Sequence, residues 1–153
     1  MWTVVNFGKW QDKGKTLPQI IVSDPDWFFW AVETNKFLGS LKTEAATLAR
    51  RAQSIKLPAS FGGDHCIQYM LTPDGKFADF NIIPSDQSAH LGSSSEIRRS
   101  HLSLRMPREI NKYDKLGGRQ IIRTFKYHWF NNKNLTKKAI ETFFDTASHF
   151  AKP

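Results

Sequence analysis

The chain has 153 residues, is 40% hydrophobic and 13% aromatic, and carries one cysteine and a formal net charge of +8. Such a composition excludes an intrinsically disordered chain, and a domain of this size buries about 68–70% of its unfolded surface, enough for a core without metal or disulfide staples. Cys66 has no partner for an internal disulfide, the opening Met1-Trp2-Thr3-Val4-Val5-Asn6 lacks the basic and apolar regions of a signal peptide, and no apolar run approaches the ~20 residues of a membrane span; the expectation is a cytoplasmic protein with no membrane partner.

In chain order, Val4-Val5 and Phe7 predict a short strand entering a Gly/Lys turn, Phe7-Gly8-Lys9-Trp10-Gln11-Asp12-Lys13-Gly14-Lys15-Thr16. Leu17 to Ile21 opens a short helix, with Pro18 tolerated in its first turn. Ser23 or Asp24 caps a second helix with Pro25 at its first position and Trp27-Phe28-Phe29-Trp30-Ala31 as its body. Asn35 to Gly39 breaks it. Leu41, Ala45, Leu48, Ala49, Ala52 and Ile55 recur at helical spacing, so a longer helix is expected from about Leu41 to Ile55.

Leu57 to Asp64 is rich in breakers and divides the chain into two expected units, 1–57 and 64–153, packed as one body. Beyond it the hydrophobic period becomes two. Runs from Cys66 to Thr72 and from Phe77 to Ile83 flank Pro73-Asp74-Gly75-Lys76, a hairpin signal. Pro84 to Ser95 reads as a polar loop. A third strand is expected from Ile97 to Met106, stopped by Pro107, with Leu102, Leu104 and Met106 inward and Arg99, His101, Ser103 and Arg105 outward. Two helices complete the pattern: one from near Gly117 to Phe130 with Ile121, Ile122, Phe125 and Trp129 as its apolar stripe, the other after the cap Thr136 with Ile140, Phe143, Phe144, Ala147 and Phe150. The fold class is α+β: an N-terminal strand-turn-helices unit, then a small antiparallel three-stranded meander with two C-terminal helices packed on it.

The charge is unevenly spread. Residues 1–60 carry eight Lys/Arg against five Asp/Glu, residues 61–95 one against four, and residues 96–153 thirteen against five. A basic C-terminal surface suits a polyanion, nucleic acid first. On the helix 117–130, Arg119, Arg123 and Lys126 fall within about 60° of one another and about 110° from the apolar stripe. They form a ridge beside the buried face, with Tyr127 next to it and Lys112 and Lys115 before it. The outward row Arg99, His101, Ser103, Arg105 would extend it into a groove. Cations interleaved with aromatics suit phosphate contact plus base stacking; the same residues also suit a solvated helix face.

Other chemistries find less support. Gly14-Lys15-Thr16 ends like a phosphate-binding loop, but the first glycine would have to stand where Lys9 is. His65 and Cys66 are adjacent, while His90, His101, His128 and His149 are dispersed without zinc-ligand spacing. Asp64 and Asp74 are accounted for by the linker and the hairpin turn, which leaves Asp79 and Asp86, with Lys76 near, as a pair for magnesium-assisted phosphodiester hydrolysis. No metal, cofactor or catalytic residue is assigned.

Phe7-Gly8-Lys9-Trp10, Gly14-Lys15, Ile20-Ile21 and Asp24-Pro25-Asp26-Trp27-Phe28-Phe29-Trp30 together resemble the small C-terminal accessory domain of exonuclease X and related proofreading-type exonucleases. The likeness covers about residues 4–38, and Gln11-Asp12-Lys13 lengthens the turn relative to the usual form. In that family the domain is appended to nucleic-acid enzymes whose paired acidic motifs lie in a separate domain. The resemblance therefore implies an accessory, nucleic-acid-associated module without exonuclease activity of its own.

The resulting expectation is a small basic non-enzymatic nucleic-acid-binding accessory protein, its binding salt-dependent and weakly sequence-specific, with DNA ahead of RNA. Arg99, Arg105, Arg119, Arg123 and Lys126 are assigned to phosphates, and Lys9, Trp10 and Lys15 to a second contact point. The alternatives are a module that meets an acidic protein and regulates or inhibits a nucleic-acid-processing or mobile-element machine, and a metal-dependent nuclease.

Overall fold

Thr16 ends one element and starts the next, and the N-terminal architecture follows from that. The computed structural model describes residues 2–88, 95–110 and 115–152; His90 and Lys112 lie outside them. A two-stranded antiparallel ribbon, β1 (Val4–Val5) and β2 (Lys15–Thr16), brackets the Gly/Lys turn, which contains a single 3-10 turn at Gly8–Trp10. Gly8 has a φ of +59°, and a Cβ there would stand 3.8 Å from Trp27 Cζ2. The backbone conformation, more than the space, calls for glycine at this point.

Three helices follow: α1 (Leu17–Ser23), α2 (Pro25–Glu33) and α3 (Ser40–Ala52). The Thr16 N–H donates to Gln19 Oε1 at 3.1 Å, satisfying one of the donors that a helix start leaves open. Asp24 caps α2, its Oδ1 accepting from the Trp27 N–H at 3.1 Å, with Pro25 in the first turn. Helix α3 stops short of the expected Ile55, because Ile55 exchanges two backbone hydrogen bonds with Leu102, at 2.9 and 2.8 Å. On the other side of the same segment, Lys56 N–H donates to His149 O and Ala151 N–H to Ser54 O, both at 2.8 Å. Residues 54–56 are thus clamped between the middle and the end of the chain.

The period-two segment forms β3 (His65–Leu71), β4 (Phe77–Pro84) and β5 (Ser95–Arg99), an antiparallel sheet in the order β4-β3-β5. The β3–β4 hairpin turns at the expected residues. The third strand lies against β3, with Ile97 opposite Tyr69, so the order differs from that of a meander. It also ends at Arg99, because Leu102 turns away to pair with Ile55 and Pro107 helps to open a short helix, α4 (Met106–Glu109). Proline is tolerated there because a helix start has no partner for its N–H. Leu102, Leu104 and Met106 are buried as their alternation required, without a strand to carry them.

Helix α5 (Lys115–Phe130) lies on β4, bringing the His128 and Trp129 rings 6.0 and 6.2 Å from Phe80. Helix α6 (Lys137–Asp145), capped by Thr136 Oγ1 accepting from the Ala139 N–H at 3.1 Å, packs against α1. It ends at Asp145, short of Ala147 and Phe150. A 3-10 turn, Ala147–His149, then lays Phe150 parallel to Phe144, with centroids 5.8 Å apart. Buried α1 is in contact with α2, α3, α5 and α6. One hydrophobic cluster includes Val5, Leu17, Leu48, Ile55, Tyr69, Phe80, Phe125, Phe144 and Phe150, drawing on residues from both 1–57 and 64–153. Among the described residues, no helix is long and apolar enough to cross a membrane.

Candidate functional site

The Gly/Lys turn meets the start of α5. Lys9 and Trp10 from the turn, Ser23 to Asp26 from the α1–α2 junction, and Gly118 and Arg119 from α5 line one polar cavity of about 290 Å³. Gly118 permits the approach, since a Cβ there would lie 3.3 Å from Pro25 Cγ. Asp24 has two tasks: it caps α2, and its carboxylate pairs with the Lys9 ammonium, which lies 5.2 Å over the Trp10 ring. Asp26 is paired with Arg108. The Trp10 Nε1 atom is buried with no hydrogen-bond partner among the described residues.

From the cavity the ridge continues along α5. Arg119 and Arg123 are exposed and Lys126 is half-buried, while Ile121, Ile122 and Phe125 of the same helix enter the core. None of the three cations has an ion pair among the described residues. Tyr127 stands beside them, 62% exposed. Nearby carboxylates are engaged elsewhere. Asp79 accepts from Thr124 Oγ1 at 2.5 Å and Gln120 Nε2 at 3.1 Å, anchoring α5 to β4, and Glu141 accepts from Thr16 Oγ1 at 2.6 Å. Asp86 is exposed in the turn after β4. Among the described residues, no three His, Cys, Asp or Glu side chains gather in a metal-binding group.

The remaining expected contacts, Lys15, Arg99 and Arg105, are not among the residues that line this cavity. Lys15 is exposed on β2, and Arg99 is exposed on the edge strand β5, its Nη1 donating to Arg98 O at 2.8 Å. Arg105 is committed to the fold, reaching Glu33 at 3.1 Å and Glu109 at 3.4 Å. With Arg108 bonded to Glu33 at 2.7 Å, these ion pairs fasten α4 to α2. The Arg108 hydrogen bond, assisted by Arg105, holds the Glu33 carboxyl below its ordinary range. The expected outward row from Arg99 to Arg105 is therefore not one strand face: the strand ends at Arg99, and Arg105 enters an ion-pair network with Glu33 and Glu109.

Sequence reasoning missed Trp27, Trp30 and Lys36. Most of the run Trp27 to Trp30 reads as core of a short capped helix, and Phe28 and Phe29 are buried, while Trp27 is half-buried and Trp30 is 41% exposed. The available signal was phase: at 100° per residue Trp30 lies about 160° around the helix from Phe28. The Trp10, Trp27 and Trp30 rings succeed one another with centroids 6.0 and 6.3 Å apart, and the Lys36 ammonium lies 5.6 Å over Trp30.

A second cavity, about 700 Å³ and mostly apolar, opens between the 56–59 segment, the end of α5 and α6, with Lys56 and His149 as its titratable lining. In comparison with known proteins, the chain matches no family model, no curated protein and no solved structure.

Proposed function

We propose that this chain is a non-enzymatic nucleic-acid-binding accessory protein whose contact surface runs from the Gly/Lys turn along α5. One observation carries the reading: Lys9, Trp10 and Arg119, distant in sequence, line a single cavity, and Arg123 and Lys126 extend the positive charge from it along one helix face. Arg119, Arg123 and Lys126 have no ion pair among the described residues, which suits exchange of their counterions for phosphates, while Lys9 is held by Asp24. Nothing in this arrangement reads base edges, so the affinity is weakly sequence-specific. The likeness of residues 4–38 to an accessory domain of exonucleases supports the same reading, with DNA ahead of RNA. A buried Cys66 thiol suits a reducing, cytoplasmic setting.

Fluorescence titration of an oligonucleotide at two salt concentrations tests the proposal. The expected result is an affinity that falls steeply with salt, by a slope of about 0.7–0.9 per phosphate contacted. The double variant Arg119→Glu, Arg123→Glu is expected to lose most of it while remaining folded, since both side chains are exposed. Affinity flat with salt, or unchanged in the double variant, overturns the reading. Recovery of one acidic protein after nuclease treatment, with no oligonucleotide bound, would assign the cations to a protein partner instead.

A further inference from the structure

The tryptophan row has chemistry beyond the basic ridge. Trp10, Trp27 and Trp30 form a continuous line from the cavity beside Arg119 to the exposed end of α2. A cation sits over a ring at each end, Lys9 over Trp10 and Lys36 over Trp30. The carboxylates near the cavity are occupied, Asp24 by Lys9 and the α2 cap, Asp26 by Arg108. Trp30 lies on the opposite face of α2 from the buried Phe28 and is 41% exposed, so its indole is available at the surface.

We propose that this row is a stacking track for single-stranded nucleic acid. Bases stack on the accessible indole surface, foremost that of Trp30, and Lys36 and Arg119 neutralise the phosphates, joined by Lys9 where a phosphate displaces the Asp24 carboxylate. The inference rests on the nucleic-acid reading above and adds the strandedness. The reason for a single strand is geometric: in a duplex the base faces are already stacked on one another, so exposed indoles gain nothing, whereas an unpaired strand offers a π-face at every residue.

The test is a titration of the full chain with oligothymidylate and with a duplex of equal length, read by tryptophan fluorescence and by anisotropy of the labelled strand. The single strand is expected to bind at least about tenfold tighter. Trp30→Ala is expected to weaken it by about 5- to 150-fold, the loss of one stacked base, with Trp30→Phe recovering part of the affinity and duplex binding unchanged. Lys36→Ala is expected to weaken the single strand and to lower its salt slope by about 0.7. If Trp30→Ala leaves oligothymidylate binding unchanged, or the duplex binds as tightly, while Arg119→Glu with Arg123→Glu abolishes binding, the track is overturned and the nucleic-acid reading stands. Absence of any nucleic-acid binding at low salt overturns both. Polyglutamate competing as well as oligothymidylate overturns the track in favour of an acidic polypeptide.

Discussion

His128 faces inward from α5, with its ring 6.0 Å from those of Phe61 and Phe80. Burial pushes its pKa below the ordinary 6.5, against the weaker opposing pull of Asp79. In the window between the lowered value and 6.5, the unfolded chain binds the proton more readily than the folded one, so stability rises with pH there. Acid is therefore expected to destabilise the fold as the pH drops through 6.5, the loss levelling off below the folded value. His128→Gln should flatten that part of the profile, measured as the thermal midpoint from about pH 8 to about pH 5. Tyr69 shows what residue patterning does and does not reveal. Its alternation with Ile67 in the sequence marks it as inward, and it is fully buried. That its phenol oxygen accepts from the Ser103 N–H at 2.8 Å, while burial pushes its pKa up to about 12, depends on where the chain after β5 returns.

At the scale of elements, the close approach of α5 to its neighbours rests on two glycines. A Cβ on Gly117 would lie 3.3 Å from Pro107 Cβ and 3.4 Å from Phe77 Cβ. Leucine is a better helix former than glycine by about 1 kcal/mol, so Gly117→Leu would stabilise a helix in isolation. Here it is expected to destabilise the protein by about 1–3 kcal/mol, the usual cost of overpacking, read as a lowered denaturation midpoint. The helices themselves were largely legible: caps at Asp24 and Thr136, proline in first turns and apolar residues at helical spacing are local signals. Their ends were less so. Ile55 and Phe150 carry the helical pattern of the elements before them, yet each leaves the helix to serve a long-range contact, Ile55 with Leu102 and Phe150 with Ile55. Likewise the alternation from Ile97 to Met106 describes burial correctly and pairing wrongly beyond Arg99, since any extended segment with one side against the core alternates.

For the molecule as a whole, the decisive contact is the return of the C-terminal segment to residues 54–56. Phe150 is buried against Phe144, with the Arg51 guanidinium 5.4 Å over its ring. Phe150→Ala is expected to cost about 3–5 kcal/mol. Because one cluster joins residues from both expected units, the loss should appear as a shift of a single cooperative transition, with fluorescence and circular dichroism midpoints moving together. Two separate transitions, with only one displaced, would show that 1–57 and 64–153 fold independently.

The sequence by itself determined the α+β class, the inward residues, the caps, the hairpin turn and the bias of positive charge toward the C-terminal residues, all of which rest on local periodicity and composition. Tertiary structure decided which cations remain unpaired at the surface. Arg105 and Arg119 are equivalent by composition, but Arg105 meets Glu33 across the α2–α4 contact while Arg119 opens onto the cavity that holds Lys9 and Trp10. It also decided that the Lys36 ammonium stands over the Trp30 ring. The physical reason is common to both: pairing is set by which side chains packing brings together, and the close approach of Gly118 to Pro25 sets the start of α5 beside the α1–α2 junction, where the cavity with Lys9 and Trp10 opens.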